Sequence, residues 1–70
     1  MNTVEREYMN RLLTRMIEQR VPFKTIYYTL LGDYPDQHST KVIESTDWIE
    51  PKLKELLNIK LMRYALNERN

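Results

Sequence analysis

Apolar positions in the last third of the chain fall on two sides of a helix rather than one. Wound at about 100° per residue, Trp48 to Leu66 places Ile49, Leu53, Leu56, Leu57 and Tyr64 on one stripe and Trp48, Ile59, Met62 and Leu66 on another. Such a helix needs two partners. One stripe closes the protein's own core, and the other is left for a second chain.

Upstream, Tyr8, Met9, Leu12, Leu13, Met16 and Ile17 recur at three- and four-residue intervals, which predicts a first helix with one buried face. Asn2 or Thr3 is placed to cap it, and Glu5 and Glu7 sit near the positive end of its dipole. Asn10, Thr14 and Glu18 are expected on its wet side. Val21 and Pro22 interrupt the pattern, and proline suits the first turn of a new helix because an amide is dispensable there. The second helix is therefore short, Pro22 to Leu31, with Phe23, Ile26, Tyr27 and Leu30 facing inward and Tyr28 outward. Gly32 can close it in the left-handed conformation.

Asp33 to Asp36 reads as a turn, and Asp36 or Ser39 can cap a third short helix that ends near Ser45 and is anchored by Val42 and Ile43. Asp47 followed three residues later by Glu50 has the spacing of a capping box, predicting a fourth helix from Trp48 with Pro51 in its first turn. No repeat, low-complexity stretch or alternating strand pattern interrupts this reading. The expected fold is all-α, a single domain of three to four helices around one small core, with a long C-terminal helix.

Length now changes the picture. A chain of 70 residues buries only roughly 60% of the surface its unfolded form exposes, so its core is marginal without a disulfide, a metal or a partner subunit. With no cysteine and one histidine, the sequence offers neither a disulfide nor a zinc site of its own. A homodimer through the second apolar stripe is the remaining expectation, with Trp48, Ile59, Met62 and Leu66 at the interface, although Trp48, at a helix start, is equally placed to be a lid on the core. Tyr28 and Tyr34, off the apolar stripe or in a turn, join them as interface candidates, whereas Tyr8, Tyr27 and Tyr64 are expected in the core.

The order long helix, short helix, turn, short helix, longer helix is that of a helix-turn-helix module, in which the helix after the turn lies in the major groove of DNA. The outward face of the third helix would then carry Gln37, Thr40, Lys41 and Glu44. Gln37 can read adenine and Lys41 can reach guanine or a phosphate, with His38, Lys24 and Arg20 near the backbone. Lys60 to Asn67 as a separate reading helix fits less well than one uninterrupted helix, because it would turn Leu61, Met62 and Leu66 toward DNA.

Charge tempers the DNA reading. The net charge is only +1, and residues 1–20, 21–45 and 46–70 carry four basic and three acidic, two and three, and five and four groups. A strong non-specific nucleic-acid binder carries a basic excess that is missing here. The span from Gly32 to Ser39 is also long for the motif, and Asp33, Asp36 and Glu44 would sit near phosphates. The sequence therefore supports two functions. The first is a small transcription-regulating protein that binds duplex DNA as a homodimer. The second is an interaction module that inhibits or adapts a larger protein, as accessory proteins of mobile elements do.

Enzyme chemistry is poorly supplied. His38 is a lone imidazole in a polar loop, and the chain has no thiol, no phosphate-cradling glycine loop and too few ligands for a calcium loop around Asp33 and Asp36. No catalytic residue, cofactor or metal is expected. Met1 to Arg20 alternates charged and apolar residues, unlike a secretory leader, and no segment is apolar enough to span a membrane; the expected location is cytoplasmic.

Overall fold

The computed structural model describes residues 1–68 of the 70-residue chain. It contains α1 (Thr3–Glu18), α2 (Phe23–Leu31), α3 (Ser39–Ser45) and α4 (Pro51–Glu68), with no strand among the described residues. The all-helical bundle with a long last helix agrees with the pattern of apolar positions. Among the described residues no helix is long and apolar enough to cross a membrane.

Each boundary has a local cause. Asn2 caps α1, its side-chain oxygen accepting the Glu5 amide at 2.9 Å. At the other end the Arg20 amide donates to the Ile17 carbonyl and the Val21 amide to the Met16 carbonyl, each at 3.0 Å. This crossed pair is a Schellman closure, and it holds Arg20 in the left-handed region at φ 58° where glycine is usual. Met16 and Val21, which the closure brings together, both pack against the core. Gly32 ends α2 at φ 77° as expected.

The approach to α3 is a small reciprocal network. Asp36 accepts the His38 amide on its carboxylate at 2.8 Å, while the Ser39 hydroxyl accepts the Asp36 amide at 2.8 Å. Asp36 thus braces the turn before α3, while the N-cap position itself is His38 and has no side-chain cap bond, so neither Asp36 nor Ser39 caps α3 as expected; Ser39 is fully buried. The far end of α3 is tied off by the Thr46 hydroxyl on the Val42 carbonyl at 2.6 Å and by Lys54 Nζ on the Glu44 carbonyl at 2.7 Å. A cation at that terminus also suits the helix dipole.

The expected capping box at Asp47 and Glu50 does not form. The Glu50 amide is taken instead by the Asn10 side-chain oxygen at 3.0 Å, and α4 starts at Pro51, with Trp48 and Ile49 left in the preceding turn. Asn10 is itself the main departure from the expected wet side of α1. It is 4% exposed, and its amide nitrogen donates to the Trp48 carbonyl at 2.6 Å and the Arg6 carbonyl at 2.8 Å. One side chain thus clamps α1 to the turn that launches α4.

The core consists of Leu13 from α1, Phe23, Ile26 and Tyr27 from α2, Ile43 from α3, and Ile49, Leu53 and Leu57 from the α4 region. Phe23 is its aromatic centre, with ring centroids 5.8 Å from Tyr27 and 5.7 Å from Tyr64 in tilted geometry. Such pairs contribute about 0.5–1.5 kcal/mol each beyond the area they bury. The backbone of α4 comes close to all three other helices, whereas that of α3 comes close to α4 alone and reaches the rest of the core through Ile43. Tyr8, expected in this core, is instead exposed, because the neighbouring helices cover only the Leu13 side of α1.

Candidate functional site

Three surfaces carry the residues picked out from the sequence. The first is the outward side of α4. Leu53 and Leu57 are buried and Tyr64 is half-buried, while Ile59, Met62 and Leu66 are 47%, 65% and 62% exposed. Leu56, assigned to the inner stripe by periodicity, is 37% exposed and joins the outer one. Trp48 leaves it: the residue precedes the helix and lies half-buried against the core, so it acts as a lid over the core rather than as part of an outward stripe. The observed stripe is therefore Leu56, Ile59, Met62 and Leu66. Lys52, Glu55 and Arg63, also exposed, lie on the same side of the helix at about 100° per residue.

The second surface is the outside of α3 together with the turn before it, where Gln37, expected on the helix itself, and His38 lie. Gln37, His38, Thr40, Lys41 and Glu44 are all exposed, and Ser39 and Ile43 are buried beneath them. Val42, expected as an anchor, is 36% exposed and lines a shallow depression with His38, Lys41, Glu44 and Ser45. The Gln37 amide nitrogen lies 3.4 Å from His38 Nε2. A compact helix-turn-helix unit supports its reading helix on the helix before it. Here the backbone of α3 lies close to α4 and not to α2, and α3 meets α2 only through the core cluster that Ile43 shares with Phe23, Ile26 and Tyr27.

The third surface surrounds α2. Tyr28 and Tyr34 stack with ring centroids 4.8 Å apart, and Lys24 Nζ sits 5.3 Å from the Tyr34 ring. The two exposed tyrosines thus cover each other, and the lysine expected near a DNA backbone is drawn over an aromatic face. Arg20 lies elsewhere, in a depression shared with Pro22, Phe23, Lys60, Arg63 and Tyr64. That depression gathers two arginines and a lysine. It also opens on the start of α2, which has no side-chain cap and no acidic residue in its first turn.

The structure therefore separates residues that the sequence grouped. Gln37, His38, Thr40 and Lys41 stay together, Lys24 joins Tyr28 and Tyr34, and Arg20 joins Lys60 and Arg63. Lys60 and Arg63 carried no sequence signal as a group with Arg20, because the loop after α1 brings them together from positions 40 or more residues apart. Val4 and Tyr8, 74% and 60% exposed, add an apolar strip on α1 that the spacing alone placed inward at Tyr8. Among the described residues no group of three His, Cys, Asp or Glu side chains is placed to hold a metal ion. Comparison with protein-family models, curated proteins and solved structures finds no match for this chain.

Proposed function

We propose that this chain is a non-enzymatic interaction protein that works through the outward face of α4. The observation that carries the reading is the contiguous exposure of Leu56, Ile59, Met62 and Leu66 on a helix whose opposite side is fixed in the core. Isolated exposed apolar residues are ordinary on a protein surface, but four in one stripe on a rigid element form a patch suited to another helix. The clamp at Asn10 and the tie from Lys54 hold α4 in place before any partner arrives, which lowers the ordering cost of binding.

The test is the pair Ile59→Glu and Met62→Glu. Both positions are exposed, so the thermal midpoint should stay within a few degrees of wild type, while association, measured by sedimentation and by cross-linking in the native host, should be lost. Unchanged mass together with an unchanged set of cross-linked proteins would reduce the stripe to a wet surface.

Duplex DNA binding is the second reading, favoured by the exposed set Gln37, Thr40 and Lys41 and by the depression that gathers Arg20, Lys60 and Arg63. Phosphate contacts by such groups would give an affinity that falls steeply with salt. Anisotropy measurements with a random duplex pool at low ionic strength decide this: Lys41→Glu and Lys60→Glu should each weaken binding, and absence of salt-dependent binding by the wild type would rule the reading out.

A further inference from the structure

We infer that the occupant of the α4 face is a second copy of this chain, lying antiparallel about a two-fold axis beside Ile59. The inference rests on the reading of α4 as the interaction surface and adds the identity and register of the partner. In a two-fold antiparallel pair, a residue a given number of positions before the axis lies level with the residue the same number after it on the other copy.

Around Ile59 this rule brings complementary groups together. Glu55 and Arg63 stand four positions before and after Ile59, about 40° to either side of it on the helix surface. The pairing therefore sets each Glu55 level with the Arg63 of the other copy, twice per dimer. Leu56 and Met62, three positions before and after Ile59, share the next layer inward. Lys52 comes level with Leu66, where its aliphatic stem can cover the leucine and leave the ammonium in water. A parallel pair would instead set Glu55 beside Glu55 and Arg63 beside Arg63, and it would align the two helix dipoles unfavourably.

Area sets the strength. The exposed parts of Leu56, Ile59, Met62 and Leu66 amount to roughly 400 Å² per copy, a functional patch size but below the area of a standard stable interface once doubled. The dimer is accordingly weak, with half-assembly on the order of 10–100 μM.

Sedimentation equilibrium up to about 1 mM chain, well above that range, tests the register with Glu55→Arg, Arg63→Glu and the double variant. Both positions are exposed, so each variant should fold, which circular dichroism with a thermal melt checks. Each single variant replaces two attractive pairs by two repulsive ones and should weaken self-association about tenfold. The double variant, and an equimolar mixture of the two single variants, should recover the wild-type mass profile. Single variants that associate like wild type, or a double variant that does not recover, overturn the register even if Ile59→Glu still dissociates the protein and so upholds the surface. A wild type that stays monomeric throughout overturns the second copy as occupant, while the α4 surface is then judged by the cross-linking experiment alone.

Discussion

Asn10→Ala is the substitution that most directly tests how the bundle is held together. Asn10 makes three side-chain hydrogen bonds, but they are not equal. The Arg6 carbonyl already accepts the helical amide of Asn10, so losing the 2.8 Å bond to it costs little. The Trp48 carbonyl and the Glu50 amide, bonded at 2.6 and 3.0 Å, belong to a turn outside regular helix and lose their partner outright. A buried polar group left unpaired costs about 1–3 kcal/mol. Glu50 is exposed, so water can reach its amide and only part of that penalty applies there, whereas Trp48 is half-buried. The expected loss is about 2–3 kcal/mol, against a total near 3–10 kcal/mol for a domain of this length. That corresponds to a fall in thermal midpoint of about 10–20 °C. The chain's single tryptophan is Trp48, so its fluorescence during a urea or thermal melt reports directly on the turn being clamped. Asn10→Asp, nearly isosteric, should be no milder near neutral pH, because it turns the donor that faces two carbonyls into an acceptor. A midpoint within about 3 °C of wild type for Asn10→Ala would refute the clamp.

Arg20→Gly should stabilise the protein by about 0.5–1 kcal/mol, since Arg20 holds φ 58° in a Schellman closure that glycine adopts without strain; a urea melt showing equal or lower stability would contradict this. Gly32→Ala should cost about 1 kcal/mol in the same assay, and the cause is conformational alone, because a methyl group at Gly32 meets nothing within 4 Å. Ile43→Ala removes a fully buried side chain that roots α3 in the core and should cost about 2–5 kcal/mol, with the α3 amides losing protection from hydrogen exchange first. Lys54→Met keeps the aliphatic stem but removes the ammonium from the Glu44 carbonyl, with an expected cost of about 0.5–1 kcal/mol that shrinks as salt is raised.

The helices were legible because their ends depend on local chemistry. Asn2, Pro22, Gly32 and Pro51 each act within a turn of where they stand, and the structure uses all four at helix boundaries. The arginine-closed end of α1 carried only an indirect signal, the apolar pair Met16 and Val21 that accompanies a Schellman turn. What periodicity could not show was the width of each buried face. Helical spacing orders Tyr8 with Leu13, and Leu56 with Leu57, but the angle that neighbours cover is decided by where the other helices lie.

Asn10 and the Asp47–Glu50 pattern failed together, and for one reason. Asn10 bonds to groups 38 and 40 positions away. Nothing within a helical turn of Asn10 reports those partners, so its place opposite the apolar residues read as wet. The amide its oxygen takes is that of Glu50, which the local capping pattern would have used to start α4 three residues earlier. By claiming that amide, Asn10 moves the start of α4 to Pro51 and leaves Trp48 in the turn, half-buried on the core. The same event trims the outward stripe to residues that α4 itself carries, Leu56 to Leu66. A buried asparagine on α1 thus decides which apolar residues on α4 remain available to a partner. Removing that clamp should blur the boundary between the two apolar sides of the C-terminal segment before it unfolds the rest of the bundle.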